Sequence, residues 1–374
     1  MKILAILGTR PEAVKMAPVI RAFSEVEGAR CWVCTTAQHR EMLDQVLDLF
    51  EIRPDFDLDI MRPDQSLADL SAAIFTALDA VISDLRPDWV LVQGDTTTVM
   101  VAGILSYYHR IKVGHVEAGL RTDDKWQPFP EEINRRVVTT VADLHFAPTE
   151  WAKANLLREG VPEGHIAVTG NPVVDALMEI ASRPFNFSEG PLADIPEDRK
   201  LILVAAHRRE NFGIPMDCIF AALKTIAADY PKDVHLVYPV HLNPNVHDTA
   251  YAQLGDIPNI TLLPPLDYLS MVHLMKRADL ILTDSGGLQE EAPSFHTPVL
   301  VLREVTERPE AIEAGTARLV GTDTDRIVSE VRRLLDDPHS FAEIAAVKNP
   351  FGDGRAAQRI VDSLLGFSKS GSIG

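Results

Sequence analysis

Short apolar runs of β-rich composition alternate with longer segments of helical period along almost the whole chain, and this alternation limits the fold more than any other feature. Segments 2–7, 32–36, 89–93 and 112–116 read as buried strands, with helices over 13–25, 66–85 and 99–108 between them. Strands that are apolar throughout need cover on both faces, and crossover helices joining parallel strands provide it. The pattern pauses over 182–200, where Pro184, Gly190, Pro191 and Pro196 break the periodicity. It restarts with strand-like runs at 201–205, 234–238, 260–263, 280–283 and 299–302, separated by helical stretches such as 215–228 and 268–277. The reading is α/β, in two halves of similar size with a hinge near 170–200. A helix over 356–367 suits packing on either half, and the small-residue tail over 368–374 is expected to fray.

A length of 374 residues fits two domains, three at most. The 46% apolar and 24% charged content fits a folded chain and not a disordered one. Acidic residues outnumber basic ones 54 to 36, a net charge of -18. Such a surface repels phosphate backbones, so no nucleic-acid partner and no anionic membrane is expected, and an anionic ligand needs a local basic pocket. Cys31, Cys34 and Cys218 are too few for a disulfide framework. The C-x-x-C of Cys31 and Cys34 lies in a β-like run without a second pair for zinc, so reduced thiols are expected. The apolar run after Lys2 stops at Gly8, too short for a signal segment, and no later run reaches membrane-spanning length. The expectation is a soluble, cytoplasmic protein.

In parallel α/β sheets the loops after strand C-termini carry chemistry. The first strand runs into Gly8-Thr9-Arg10-Pro11-Glu12-Ala13-Val14-Lys15, which lacks the glycine spacing of a dinucleotide turn, so NAD is disfavoured. Pro11 suits a first helical turn, and Arg10 and Lys15 lie near a helix N-terminus that already favours an anion. The strand at 89–93 leads into Gly94-Asp95-Thr96, where Asp95 reads first as a helix N-cap. Glu117 holds the corresponding position after the strand at 112–116. Glu131 and Glu132 open a helix, a place where acids are stabilising. Asp95, Glu117 and Glu131 converging at strand ends would nonetheless be poised for acid–base work, because crowding and desolvation raise carboxyl pKa values.

In the second half, the strand at 201–205 opens into His207-Arg208-Arg209-Glu210-Asn211. There His207 reads equally as a structural residue or as a phosphate or leaving-group contact. The strongest anion signal is Thr283-Asp284-Ser285-Gly286-Gly287, where small residues at a helix start let backbone N–H groups approach a diphosphate. Glu290 and Glu291, one turn on, are placed to accept ribose hydroxyls. Arg303 and Arg308 add positive charge after the next strand. Asp323-Thr324-Asp325 has a metal-like spacing but directly precedes a helix, and capping explains it better. His235, His241 and His247 share no single face, and no metal is expected.

Taken together, these segments resemble the non-hydrolysing UDP-N-acetylglucosamine 2-epimerases of bacteria. The resemblance runs in order through Gly8-Thr9-Arg10-Pro11-Glu12-Ala13, Gln93-Gly94-Asp95-Thr96, His115-Val116-Glu117-Ala118-Gly119-Leu120-Arg121 and Phe129-Pro130-Glu131-Glu132-Ile133-Asn134-Arg135. It continues through Gly170-Asn171-Pro172, His207-Arg208-Arg209-Glu210-Asn211, Asp284-Ser285-Gly286-Gly287 with Gln289-Glu290-Glu291, and Thr306-Glu307-Arg308-Pro309-Glu310. It implies a glycosyltransferase-B-type architecture, two Rossmann-like domains facing across a cleft. The first would span 1–170 and carry the acidic cluster, and the second would span 171–355 and bind UDP. The remainder, 356–374, would return to the first. By resemblance, Ser285, Gly286 and Gly287 hold the diphosphate, Glu291 the ribose, and Arg10 and Arg308 further phosphate or sugar groups. Lys15, Arg135 and Arg208 are additional substrate-binding candidates. The sugar would project towards Asp95, Glu117 and Glu131, with His207 assisting the leaving group. The resemblance also implies a homodimer that needs no cofactor. Some members are activated by substrate at a second site, in a segment that holds Gln38 here. Glu41 and Asp64 stand where such members are expected to carry a polar amide and a basic residue, which speaks against that activation.

The C2 proton of such a sugar is not next to a carbonyl, and without a nicotinamide no transient oxidation is open. Breaking the anomeric C–O bond acidifies C2–H, so the expected route is elimination of UDP to 2-acetamidoglucal and re-addition. The alternatives are a hydrolysing epimerase that releases N-acetylmannosamine and UDP, a glycosyltransferase on the same scaffold, and a nucleotide-sugar sensor without turnover.

Overall fold

Lys2–Leu7 forms β1, and every residue after Lys2 is buried, so this strand must be covered on both faces. In the computed structural model, which describes residues 1–36, 40–62 and 65–370, it is the third strand of a seven-stranded parallel sheet. Gln38 and Asp64 lie outside the described residues, as does the side chain of Glu41. The chain continues through α1 (Arg10–Ser24), β2 (Arg30–Thr35), α2 (Arg40–Leu49), β3 (Phe56–Asp57), α3 (Leu67–Leu85), β4 (Trp89–Gln93) and α4 (Thr97–Tyr108). Next come β5 (Lys112–Val116), α5 (Glu131–Val141), β6 (Leu144–Ala147), α6 (Glu150–Arg158), β7 (Ile166–Val168) and α7 (Pro172–Ala181). The second half holds β8 (Lys200–Ala205), α8 (Ile214–Asp229), β9 (Val234–Pro239), α9 (Pro244–Leu254), β10 (Ile260–Leu263), α10 (Tyr268–Arg277), β11 (Leu280–Thr283) and α11 (Gly286–Glu291). It ends with β12 (Val299–Val301), α12 (Pro309–Ala314), β13 (Ala317–Leu319), α13 (Thr324–Asp336) and α14 (Pro338–Ala345), and α15 (Ala356–Ser370) closes the described chain.

The chain divides into two compact units, residues 1–176 with the segment that begins at Phe351, and residues 177–350. The strand order is β3-β2-β1-β4-β5-β6-β7 in the first and β10-β9-β8-β11-β12-β13 in the second, with parallel pairing throughout. Each sheet therefore reverses its order once, between β1 and β4 and between β8 and β11. At such a point the flanking crossovers leave to opposite sides and open a crevice beyond the strand C-termini.

The first core packs Leu4, Ile6, Val90 and Val92 against Ile74, Leu78 and Val101 of the flanking helices. The second packs Val204, Leu236 and Leu282 against Phe220, Leu223, Ile327 and Val331. Each such side chain contributes roughly 1.5–3 kcal/mol on burial. The proline-rich stretch over 182–200 is anchored in the second unit: Leu192 and Ile195 are buried, and Lys276 donates to the Ala181 carbonyl at 2.8 Å. α15 packs along α1. Its first amides, of Ala356 and Ala357, are accepted by Asp175 at 3.0 and 2.9 Å, and Phe367 meets the buried Trp89 ring edge-on at 5.8 Å. Among the described residues, no helix is long and apolar enough to cross a membrane.

Candidate active site

In the first unit, β1 ends against the start of α4. A Cβ on Gly8 would lie 2.6 Å from the Thr98 hydroxyl and 3.1 Å from that of Thr36, so only glycine permits this approach. Thr9 is the N-cap of α1, Pro11 falls in its first turn, and Arg10 is its half-buried first residue.

Asp95 follows β4 at the switch point. It is not the cap of α4, as the sequence suggested. Thr96 is, its hydroxyl accepting the Val99 amide at 3.3 Å. The Asp95 carboxylate is thereby released from helix capping and is ion-paired with Arg135 of α5. Its turn is held from both sides: Asn134 donates to the Asp95 carbonyl at 2.9 Å, and His115 Nε2 donates to the Gly94 carbonyl at 2.7 Å. Burial pushes the His115 pKa down to about 4, so the ring is neutral at pH 7.

Glu117 follows the adjacent strand, β5, whose Val116 is in register with Gln93. Its backbone is left-handed, φ 63°, a conformation costing a non-glycine residue about 1 kcal/mol. Lys15 meets its carboxylate at 2.5 Å, and Gln93 donates to the same oxygen. Asp95 and Glu117 thus each face a cation, where the sequence suggested carboxylates crowded against one another. Both first-turn acids of α5 suit a helix start, only Glu131 reads from sequence as an acid–base candidate, and the structure also separates the two. Glu132 is fully buried and accepts the Thr122 amide, Arg135 and Arg136, at 3.2, 3.3 and 2.9 Å. Glu131 stays half-buried at the helix start.

In the second unit the switch point is organised by Asp284, a residue the sequence reading gave no role. It is fully buried and accepts the His207 amide at 2.9 and 3.1 Å, the Arg208 amide at 2.8 Å and Asn211 Nδ2 at 3.0 Å. The His207 ring stacks on His241, centroids 5.3 Å apart, with Nδ1 3.7 Å from Asp284. Burial holds the His207 pKa below its ordinary value, while Asp284 acts in the opposite direction. Ser285 is the N-cap of α11, and its hydroxyl makes no capping bond. A Cβ on Gly286 would sit 3.7 Å from the Arg308 guanidinium and 3.9 Å from that of Arg208, so two cations flank the Ser285-Gly286-Gly287 turn. Arg308 is ion-paired with Glu290, which the sequence offered beside Glu291 as a ribose acceptor and which is instead buried against this guanidinium, and the Arg308 amide donates to the Thr306 hydroxyl at 3.1 Å. Glu291 accepts the Tyr268 hydroxyl at 3.0 Å. Arg303 pairs with Glu210 at 2.5 Å and so steadies the loop that carries His207.

Arg10, Lys15, Asp95, Glu117, Glu131 and Arg135 therefore gather at one end of the first sheet. His207, Arg208, Ser285, Gly286, Gly287, Glu291 and Arg308 gather at one end of the second. The first set includes two carboxylates, Asp95 and Glu117, each oriented by a cation, and the second a cationic, glycine-lined turn. Asp323 caps α13, accepting the Arg326 amide at 2.9 Å, and no metal-binding cluster occurs among the described residues.

A family profile described as UDP-N-acetylglucosamine 2-epimerase matches residues 21–365. The UDP-N-acetylglucosamine 2-epimerase of Yersinia pestis is 52% identical over 370 residues, 97% of this chain and 98% of that one. The enzyme of the same name from Salmonella typhimurium is 51% identical over 377 residues, 99% and 100% of the two chains. The solved UDP-GlcNAc 2-epimerase of Neisseria meningitidis, bound to UDP-GlcNAc, superposes with a TM-score of 0.88 at 46% identity, covering 98% of this chain and all of that one. The paired Rossmann-like sheets are of the glycosyltransferase-B type expected from the sequence. By profile, by identity over its length and by fold, this chain belongs to the UDP-N-acetylglucosamine 2-epimerase family.

Proposed function

We propose that this enzyme interconverts UDP-N-acetylglucosamine and UDP-N-acetylmannosamine without hydrolysis, by eliminating UDP and adding it back. In the first step the C1–O bond breaks, UDP leaves with the electron pair, and a carboxylate takes the C2 proton. The product is 2-acetamidoglucal. In the second step a UDP oxygen returns to C1 and a proton reaches C2 from the opposite face. Two acid–base groups are needed, and a departing diphosphate must be kept bound.

The observation that carries this reading is the pair of strand-neighbour carboxylates, Asp95 and Glu117, each held by its own cation at the first unit's switch point. We assign the proton transfers to Asp95, Glu117 and Glu131. The diphosphate is assigned to Ser285, Gly286, Gly287, Arg208 and Arg308, with Arg10 as a further contact. Glu291 is assigned to the ribose and His207 to the leaving group. Lys15 and Arg135, which pair with Glu117 and Asp95, act here by orienting those carboxylates. We further assign a homodimer, supported by the exposed apolar residues Leu67 and Ala72 on α3 and Tyr107 and Tyr108 at the end of α4. A cytoplasmic setting suits its three free thiols.

Turnover of UDP-GlcNAc in deuterated water, followed by NMR, tests the reading. The expected product is UDP-ManNAc deuterated at C2. Free N-acetylmannosamine would indicate hydrolysis instead. Asp95→Asn, Glu117→Gln and Glu131→Gln should each lower kcat by about 10²–10⁴-fold. Near-normal turnover in all three refutes the assignment.

A further inference from the structure

Glu12 stands apart from the acids assigned above. It is the third residue of α1, 2% exposed, and its Oε2 accepts the amides of Gly8 and Thr9. A glutamate capping a helix in this way ordinarily sits at the surface, where water completes its shell. Here Oε1 is buried with no hydrogen-bond partner among the described residues. Burial is the largest influence on the carboxyl and disfavours its ionised form, while two side chains of the β4–α4 turn act in opposite directions: the Thr96 hydroxyl favours that form and the Asp95 carboxylate disfavours it. The other charges at these strand ends are engaged with different groups: Lys15 with Glu117, and Arg135 with Asp95 and Glu132. Burial, a bare oxygen and a second acid beside it raise the cost of the carboxylate relative to the neutral acid, whose O–H can donate.

We propose that Glu12 is a positioning residue that works as a neutral acid. Its Oε2 holds the Gly8–Thr9 turn and its Oε1 proton faces the Thr96 hydroxyl, which ties the Arg10 turn to the Asp95 turn without a second negative charge beside Asp95. Burial, the largest influence, pushes the Glu12 pKa up to about 7. Ionisation above that pH places a charge against Asp95 and loosens the tie. The inference rests on the proton-transfer role proposed for Asp95.

Two variants and two readouts test it. Glu12→Gln keeps an acceptor for the amides and a donor for Thr96 but cannot ionise. It should hold kcat within about threefold of wild type at pH 7, and while wild-type turnover should decline from pH 7 to 8.5, that of the variant should not. Glu12→Ala should lower kcat about a hundredfold with KM nearly unchanged, as expected when a reacting group is misplaced. The second readout needs no activity. A folded-state pKa raised above the unfolded one gives stability that is lost as pH rises through the folded value. The Tm of wild type should therefore fall relative to Glu12→Gln by about 2 °C between pH 6 and 8. A pH-dependent Tm offset supports the neutral acid even if wild type exchanges no C2 proton, a result that overturns only the functional reading. A constant offset, or Glu12→Gln as slow as Glu12→Ala, overturns the inference.

Discussion

Asp284→Asn changes one oxygen to an amide nitrogen in the second unit, and its consequences follow from four short contacts. Oδ2 accepts the amides of His207 and Arg208 and the side chain of Asn211, at 2.9, 2.8 and 3.0 Å, while Oδ1 accepts the His207 amide at 3.1 Å. In its better orientation the asparagine carbonyl takes the Oδ2 position and keeps three donors, now as neutral hydrogen bonds. Charge-assisted bonds contribute roughly 1.5–3 kcal/mol and neutral ones roughly 0.5–1.5, so the three together lose about 3 kcal/mol. The new NH₂ then points at the His207 N–H, a donor against a donor. The loop relieves this by moving, which carries Arg208 away from Gly286. Losing one charge-assisted contact to a phosphate weakens binding about 10–100-fold. Asp284 also favours the protonated form of His207, so the His207 pKa should fall further in the variant. Urea unfolding gives the stability change, calorimetric titration with UDP the affinity, and NMR of the imidazole the pKa. Wild-type UDP affinity together with an unmoved His207 titration would refute the claim that Asp284 builds this site.

Two further predictions test the same physics elsewhere. Arg308→Met removes a guanidinium beside Gly286 and should weaken UDP binding about 10–100-fold, whereas equal Kd values would place the diphosphate away from this turn. His115 is held neutral with a pKa of about 4, so below pH 6.5 the unfolded chain takes up its proton first. Stability should drop with falling pH by up to about 3 kcal/mol near pH 4, and His115→Gln should flatten that dependence; an unchanged slope would contradict it.

Much of this protein is local in origin and therefore visible in one dimension. The apolar runs at β1, β4, β8 and β11 report burial residue by residue, and Gly8 and the Ser285-Gly286-Gly287 turn announce places where a backbone must come close to something. The motifs also placed Asp95, Glu117, His207 and Arg308 at strand ends. Folding alone decided which strand ends are neighbours, because a parallel crossover fixes the next strand's direction and leaves its place in the sheet to long-range pairing. Hence β1 lies beside β4, and β8 beside β11. The same holds for charge. Asp95 looked like a cap because a cap is the local option, yet its partner, Arg135, is 40 residues away, and Glu117 finds Lys15 across 102. Glu131 and Glu132 are indistinguishable as letters, and the helical rotation of 100° between them buries one against three donors and leaves the other at the rim. A carboxylate's role depends on the dielectric and the cation around it, and both are properties of the folded neighbourhood.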